Sequence, residues 1–194
     1  GSEVGRLENI SGADYTGSGV FNIGNGLSGD SHFFSGKLSD VRIWSDVRSA
    51  TEIQKNYQQA LTGNEGDLLV NYPMASGYGT TLDDISPNNN YDNISGPTWV
   101  ETNPSAPQSI EHLGQALGLQ AGSQGVTVDN PTDLVMGGAD FTIESWFKGT
   151  DNVNIFSKTD GSWGSNSKAL WIDDNGLVSF GISGILSSVN LAST

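Results

Sequence analysis

The chain has 194 residues, a length that fits one large all-β domain or two small domains. Its formal net charge of -14 repels phosphate backbones and anionic lipid, which excludes a nucleic-acid-binding protein. The absence of cysteine excludes disulfides, thiolate metal sites and cysteine nucleophiles, and no apolar run predicts insertion into a membrane.

The first third of the chain predicts short strands followed by one helix. Alternating apolar residues predict strands at residues 4–10, 19–24 and 38–44. Ser49 and Glu52 form a Ser-x-x-Glu capping box, which indicates the start of a helix. The apolar stripe of this helix consists of Ile53, Tyr57, Ala60 and Leu61.

The rest of the chain predicts strands joined by polar turns. Residues 67–74 form a strand that ends at a proline, a polar loop follows at residues 83–93, and "GPTWV" is a short strand. Seven further strands are predicted: "QALGLQ", "GVTVDN", "FTIESWFKG", "VNIFSKT", "KALWIDD", "LVSFGIS" and "SSVNL". The dipeptide Asn175-Gly176 predicts a hairpin turn. About a dozen strands and one short helix predict an all-β antiparallel sandwich.

The strand "FTIESWFK" alternates clearly between two kinds of residue. Phe141, Ile143, Ser145 and Phe147 lie on one face, and Thr142, Glu144 and Trp146 lie on the other. The four tryptophans on strands are expected in the core; they are Trp44, Trp99, Trp146 and Trp171.

Several segments together resemble a laminin-G-like domain of the concanavalin A-like lectin/glucanase superfamily. "ALGLQAGSQGVTVDNPTDLVMGGADFTIESWFKG" is similar to the opening half of such a domain, and "DLLVNYPMASGYGTTLDDISPNNNYDNISGPTWV" to its first strand and loop. "FFSGKLSDVRIWSDVRSATEIQKNY" is similar to the closing half. The resemblance implies a jelly-roll sandwich. The closing half nevertheless comes first, at residues 1–66, and the opening half follows at residues 67–194.

Two organisations explain this permuted order. The chain is either the end of one repeat followed by the start of the next, or a single circularly permuted sandwich. We favour folding as one domain, because half a sandwich exposes an apolar face and unpaired edges. The central hairpin of the family, with its "W-H-H-V-A" strand, has no counterpart here. A partner chain could supply that hairpin, or an inserted module could replace it.

Catalysis is not expected. Glucanases of this superfamily carry a Glu-x-Asp-x-x-Glu strand, whereas Glu144 stands alone in "FTIESWF". A Ser-His-Asp site needs a histidine, and both His32 and His112 lie in polar turns where we expect them to be solvated. The sequence therefore predicts a protein that is not an enzyme.

Among possible chemical sites, the sequence supports a calcium-binding loop most strongly. The loop "LDDISPNNNYDN" concentrates hard oxygen donors within ten residues, at Asp83, Asp84, Ser86, Asn88, Asn90 and Asp92. The resemblance implies that Asp40 joins Asp83 or Asp84 in holding one structural Ca²⁺ ion. The alternative is a loop of Asx turns capped by its own side chains.

Sugar binding would use an exposed aromatic ring beside polar side chains. Trp163 in "DGSWGSN" and Tyr78 in "SGYGT" are the candidates. The sequence thus predicts a calcium-stabilised scaffold or adhesive module of a large extracellular or cell-surface adhesin, of bacterial origin, whose partners are neighbouring domains of the same protein. The alternative is a lectin-like module of a secreted protein or glycoside hydrolase, with a glycan as partner. A groove of exposed aromatics favours the lectin, and a closed polar loop face favours the scaffold.

Overall fold

The computed structural model describes residues 19–25, 32–101, 115–120, 122, 125–128, 134, 140–150, 152–159, 167–182 and 185–189. Within these ranges the chain forms thirteen strands and one helix. The elements in chain order are β1 (Val20–Ile23), β2 (Gly36–Trp44), α1 (Ala50–Asn56), β3 (Leu68–Tyr72), β4 (Thr81–Leu82), β5 (Asp92–Ser95), β6 (Thr98–Glu101), β7 (Gln115–Leu119), β8 (Gly125–Val128), β9 (Thr142–Gly149), β10 (Val153–Thr159), β11 (Ser167–Ile172), β12 (Val178–Ile182) and β13 (Ile185–Val189).

The strands form two antiparallel sheets of a sandwich, which confirms the predicted all-β jelly-roll class. The larger sheet has the order β13-β12-β11-β10-β1-β8-β5-β4. The smaller sheet contains β3, β2, β7 and β6 in order, and β9 pairs with β2. We call it the β2 sheet, because β2 pairs with three strands.

The core lies between the sheets and is filled by alternate residues of their strands. Phe21 of β1 stacks on Phe156 of β10 with ring centroids 5.8 Å apart. Leu38 and Ile43 of β2 are 1% and 0% exposed. Each such side chain contributes roughly 1.5–3 kcal/mol to the free energy of folding through its burial.

The two strands described from residues 1–66 pair with strands from residues 67–194. β1 lies between β10 and β8, with Ile23 opposite Phe156 on one side and Val126 on the other. β2 pairs with β3, β7 and β9. Each sheet therefore takes strands from both segments of the chain.

Several sequence-based elements are confirmed. The strands predicted at residues 19–24, 38–44 and 67–74 correspond to β1, β2 and β3, and the seven later predictions correspond to β7–β13. The strand predicted at residues 4–10 lies outside the described residues. The polar region also contains β4 and β5, which alternation did not reveal because they are two and four residues long.

The capping box and the hairpin turn are also confirmed. The Ser49 side chain accepts a hydrogen bond from the Glu52 amide, and the Glu52 carboxylate accepts one from the Ser49 amide at 2.8 Å. The helix ends at Asn56, so Ala60 and Leu61 lie beyond it, and none of its residues is buried. Gly176 has φ 74° and donates to Asp173 O at 3.0 Å in the β11–β12 turn.

Candidate functional site

Asp84 organises the loop that was predicted to bind calcium, which we call the Asp84 loop (residues 83–92). The Asp84 side chain is fully buried. Its two oxygens accept five hydrogen bonds, from the amides of Asn71, Ser86 and Asn90 and from the side chains of Ser86 and Asn90, at 2.8–3.1 Å. Both carboxylate oxygens are therefore occupied by donors of the chain itself.

The Asp84 loop covers the edge of β3. Besides the Asn71 amide bound by Asp84, the carbonyl of Leu69 accepts hydrogen bonds from the Ser86 hydroxyl at 3.0 Å and from the Asn88 side chain at 2.9 Å. The Tyr72 hydroxyl donates to the Asn90 carbonyl at 2.7 Å. These contacts satisfy backbone groups that an edge strand otherwise leaves open to another chain.

Of the other predicted calcium ligands, Ser86 and Asn90 lie against Asp84 but donate hydrogen bonds to it, and Asn88 donates to the Leu69 carbonyl. Asp83 is exposed and accepts a hydrogen bond from the Ser76 hydroxyl at 3.3 Å. Within the described residues, no group of three or more His, Cys, Asp or Glu side chains is placed to hold a metal ion. An ion bound by Asp84 would have to displace the amides that this carboxylate accepts. The calcium site stays a prediction.

Asp40 faces a different partner. It lies in β2 with φ 54°, where the pairing with β9 shifts register between Ser39 and Arg42, as in a β-bulge. Its carboxylate forms an ion pair with Arg42, at 2.7 Å to Nη2 and 2.8 Å to Nε. Burial raises the pKa of Asp40, and the Arg42 charge opposes that rise.

Arg42 connects β2 to the end of α1. Its guanidinium is 1% exposed and donates to the Asn56 carbonyl at 2.8 Å and the Gln59 carbonyl at 2.6 Å. Cationic donors at the carboxyl end of a helix satisfy carbonyls that have no partner within the helix. Arg42 therefore holds α1 over the outer face of the β2 sheet.

A pocket of about 320 Å³ lies where α1 crosses β2 and β9, and we call it the Trp146 pocket. Trp146 is 40% exposed, stacks on Tyr57 with ring centroids 6.0 Å apart, and donates from Nε1 to the Tyr57 carbonyl at 3.1 Å. The pocket is lined by Asp40, Arg42, Ile53, Tyr57, Thr142, Ile143, Glu144, Ser145 and Trp146. It combines an aromatic platform with charged side chains.

Glu144 is the least satisfied group of the pocket. Neither carboxylate oxygen has a hydrogen-bond partner in the described structure, and its nearest ion-pair contact is 3.6 Å, from Oε2 to Arg42 Nη1. Burial raises the pKa of Glu144, against the opposing charge of Arg42. A buried carboxylate without donors favours its neutral form or an additional donor from outside.

The aromatic predictions have mixed outcomes. Trp44 is fully buried, as predicted, and the Arg48 guanidinium lies over its ring at 4.1 Å from the centroid. Trp146 was predicted in the core, which is wrong: it lies on the face opposite Ile143 and Phe147, under the short helix. Trp99 and Trp171 are partly buried.

Of the two predicted sugar contacts, Tyr78 is 79% exposed, and Trp163 lies outside the described residues. Sequence reasoning missed the Trp146 pocket, although its signal was present. Glu144 and Trp146 alternate with apolar residues on β9, and the capping box places a helix after β2. Only the packing of that helix against β9 was not visible in the sequence.

A family model described as the concanavalin A-like lectin/glucanases superfamily, of the laminin G type, matches residues 1–54. The match supports this superfamily and, in general terms, a carbohydrate-binding or adhesive module; domains of this type are typically extracellular. No curated protein and no solved structure matches the chain. Within the described ranges, no helix has the length and apolar character needed to cross a membrane.

Proposed function

We propose that the chain is a non-catalytic module of a large extracellular surface protein, where it serves as an adhesive or structural domain beside neighbouring domains. The observation that carries this proposal is the closed Asp84 loop, in which Asp84 accepts hydrogen bonds from Asn71, Ser86 and Asn90. The superfamily match at residues 1–54 supports the adhesive role. A bacterial adhesin with permuted halves is the organisation we infer from the sequence.

Calcium binding is part of this proposal and has a direct test. Thermal unfolding is recorded with excess Ca²⁺ and then with a chelator, because an ion that binds the folded state raises the melting temperature. A rise in Tm that is lost in Asp83→Ala would support an ion at the loop. An unchanged Tm would show that the loop is held by hydrogen bonds alone.

A second candidate function is glycan binding, and the Trp146 pocket is the observation that favours it. The pocket sets a partly exposed indole beside hydroxyl and carboxylate groups, and sugar rings stack on aromatic rings in such surroundings. A glycan array followed by titration calorimetry of any hit tests this function. Trp146→Ala should abolish binding, while Tyr78→Ala and Trp163→Ala retain it. Loss of binding only in Trp163→Ala or Tyr78→Ala would instead support the contacts expected from the sequence.

A further inference from the structure

Two of the outer strands of the β2 sheet, β3 and β9, differ in what covers their free edges. The Asp84 loop covers β3 with hydrogen bonds to Leu69 and Asn71. β9 pairs along its length with β2, and among the described strands it has no partner on its other side. A strand of eight residues thus presents a free row of backbone donors and acceptors.

The core-facing side chains of β9 are less buried than those of β2. Ile43 and Leu38 of β2 are 0% and 1% exposed, whereas their register partners Ile143 and Phe147 on β9 are only partly buried. An additional strand beside β9 would bury these two apolar side chains and pair the free backbone groups.

We propose that β9 pairs antiparallel with β9 of a second copy of this chain, so that the two β2 sheets join into one continuous sheet. The pairing places Trp146 opposite the same residue of the second copy. In this register Glu144 of each copy lies opposite Lys148 of the other. The proposal goes beyond the adhesive role and does not depend on a ligand in the Trp146 pocket.

Charge complementarity argues for a second copy and for this register. Among the described residues Glu144 has only distant donors, Arg42 Nη1 at 3.6 Å and the nearby Trp44 indole, and Lys148 is an exposed cation on the same face of β9. Opposed residues on one face of an antiparallel pair have Cβ atoms about 5 Å apart. Each ammonium group therefore meets the Glu144 carboxylate, twice in one two-fold interface. The net charge of -14 on each copy opposes association, and salt screens that repulsion.

Cysteine cross-linking tests the register, because the chain has no cysteine of its own. Directly opposed antiparallel residues have Cα atoms about 4.5–5.5 Å apart, which suits a disulfide. We expect Trp146→Cys to form a disulfide-linked dimer under mild oxidation. Val47→Cys, at a site that is 66% exposed but off the strand, should stay monomeric. Efficient linking by Ser145→Cys instead of Trp146→Cys would overturn the register.

The mass of the full chain in solution tests the dimer itself. Sedimentation equilibrium at physiological salt should give twice the monomer mass as concentration rises. Lys148→Glu should weaken the dimer about tenfold or more, because it places two carboxylates opposite each other at both ends of the pairing. Lys55→Glu makes the same charge change on the exposed face of α1 and should leave the dimer intact. A monomer at every concentration, or equal effects of the two variants, would overturn the proposal.

Discussion

At the scale of single residues, Asp83 and Asp84 are neighbours in sequence with opposite surroundings. Asp84 is fully buried and accepts five hydrogen bonds, whereas Asp83 is exposed and accepts a hydrogen bond from the Ser76 hydroxyl. Their identical chemistry makes each a control for the other. The difference between them measures what burial and hydrogen bonding add to one carboxylate.

Asp84→Ala should lower the free energy of unfolding by about 3 kcal/mol or more, because it leaves buried amides without an acceptor. Asp83→Ala should change it by less than about 0.5 kcal/mol, as at other exposed sites. Urea unfolding of both variants without added calcium measures this contrast. Equal losses would show that the buried hydrogen bonds of Asp84 are not what holds the loop.

The raised pKa of Glu144 should make the free energy of unfolding depend on pH. Because burial raises its pKa above the ordinary 4.5, the folded protein holds this proton more tightly than the unfolded chain does. The contribution of Glu144 to stability is therefore complete at low pH and is lost as pH rises through the raised pKa. Glu144→Gln should thus gain stability relative to the wild type as pH increases from about 4 to 7.

Urea unfolding of dilute protein at several pH values measures this difference. Glu101→Gln makes the same substitution at an exposed site and is the control. The stability difference between the Glu144 variant and the wild type should change more with pH than that of this control. A flat difference for Glu144→Gln would contradict the pKa shift.

At the scale of elements, α1 depends on β2 more than on its own residues. It has seven residues and none is buried, and a helix of this length is marginal in isolation. The capping box holds its first turn, and Arg42 binds the carbonyls at and beyond its end. The position of α1 beside the Trp146 pocket therefore depends on one cation, Arg42 of the neighbouring strand β2.

Arg42→Met should destabilise the protein by about 3–5 kcal/mol, because it leaves Asp40 buried without its counter-charge. The double variant Asp40→Asn with Arg42→Met should lose clearly less, since no unpaired buried carboxylate remains at Asp40. Urea unfolding of the single and double variants gives the coupling free energy directly. Additive losses would mean that the ion pair is not the main contribution of Arg42.

At the scale of the whole molecule, the order of strands makes both segments necessary for the sandwich. β1 lies between β8 and β10, and β2 lies against β3, β7 and β9. Removing residues 1–66 would therefore divide the larger sheet and remove the central strand of the smaller one. We infer that the two segments fold as one unit.

Separate expression of residues 1–66 and 67–194 tests this inference. Each fragment alone should lack a cooperative thermal transition, and mixing them should restore the circular dichroism spectrum of the full chain. The full chain should unfold in one transition. Independent folding of either fragment would show instead that the two segments belong to separate sandwiches.

Alternation and turn residues determined most of the architecture without tertiary information. Apolar residues at alternate positions made β2, β9 and β10 readable along the chain, although the structure buries both faces of β2 and β10. The Ser49–Glu52 box and the Asn175-Gly176 turn were readable for the same reason, because their hydrogen bonds join residues within a few positions.

Only the tertiary structure determined which partner each of these polar side chains contacts. Asp84 and Asp40 both suggested calcium in the sequence, yet the fold sets one against the edge of β3 and the other against Arg42. Trp146 suggested core, yet the fold places it under α1 in a pocket. The local sequence pattern determines on which face of its own strand a side chain lies. Which groups then meet across that face depends on strand order and helix packing, and these join residues a hundred positions apart.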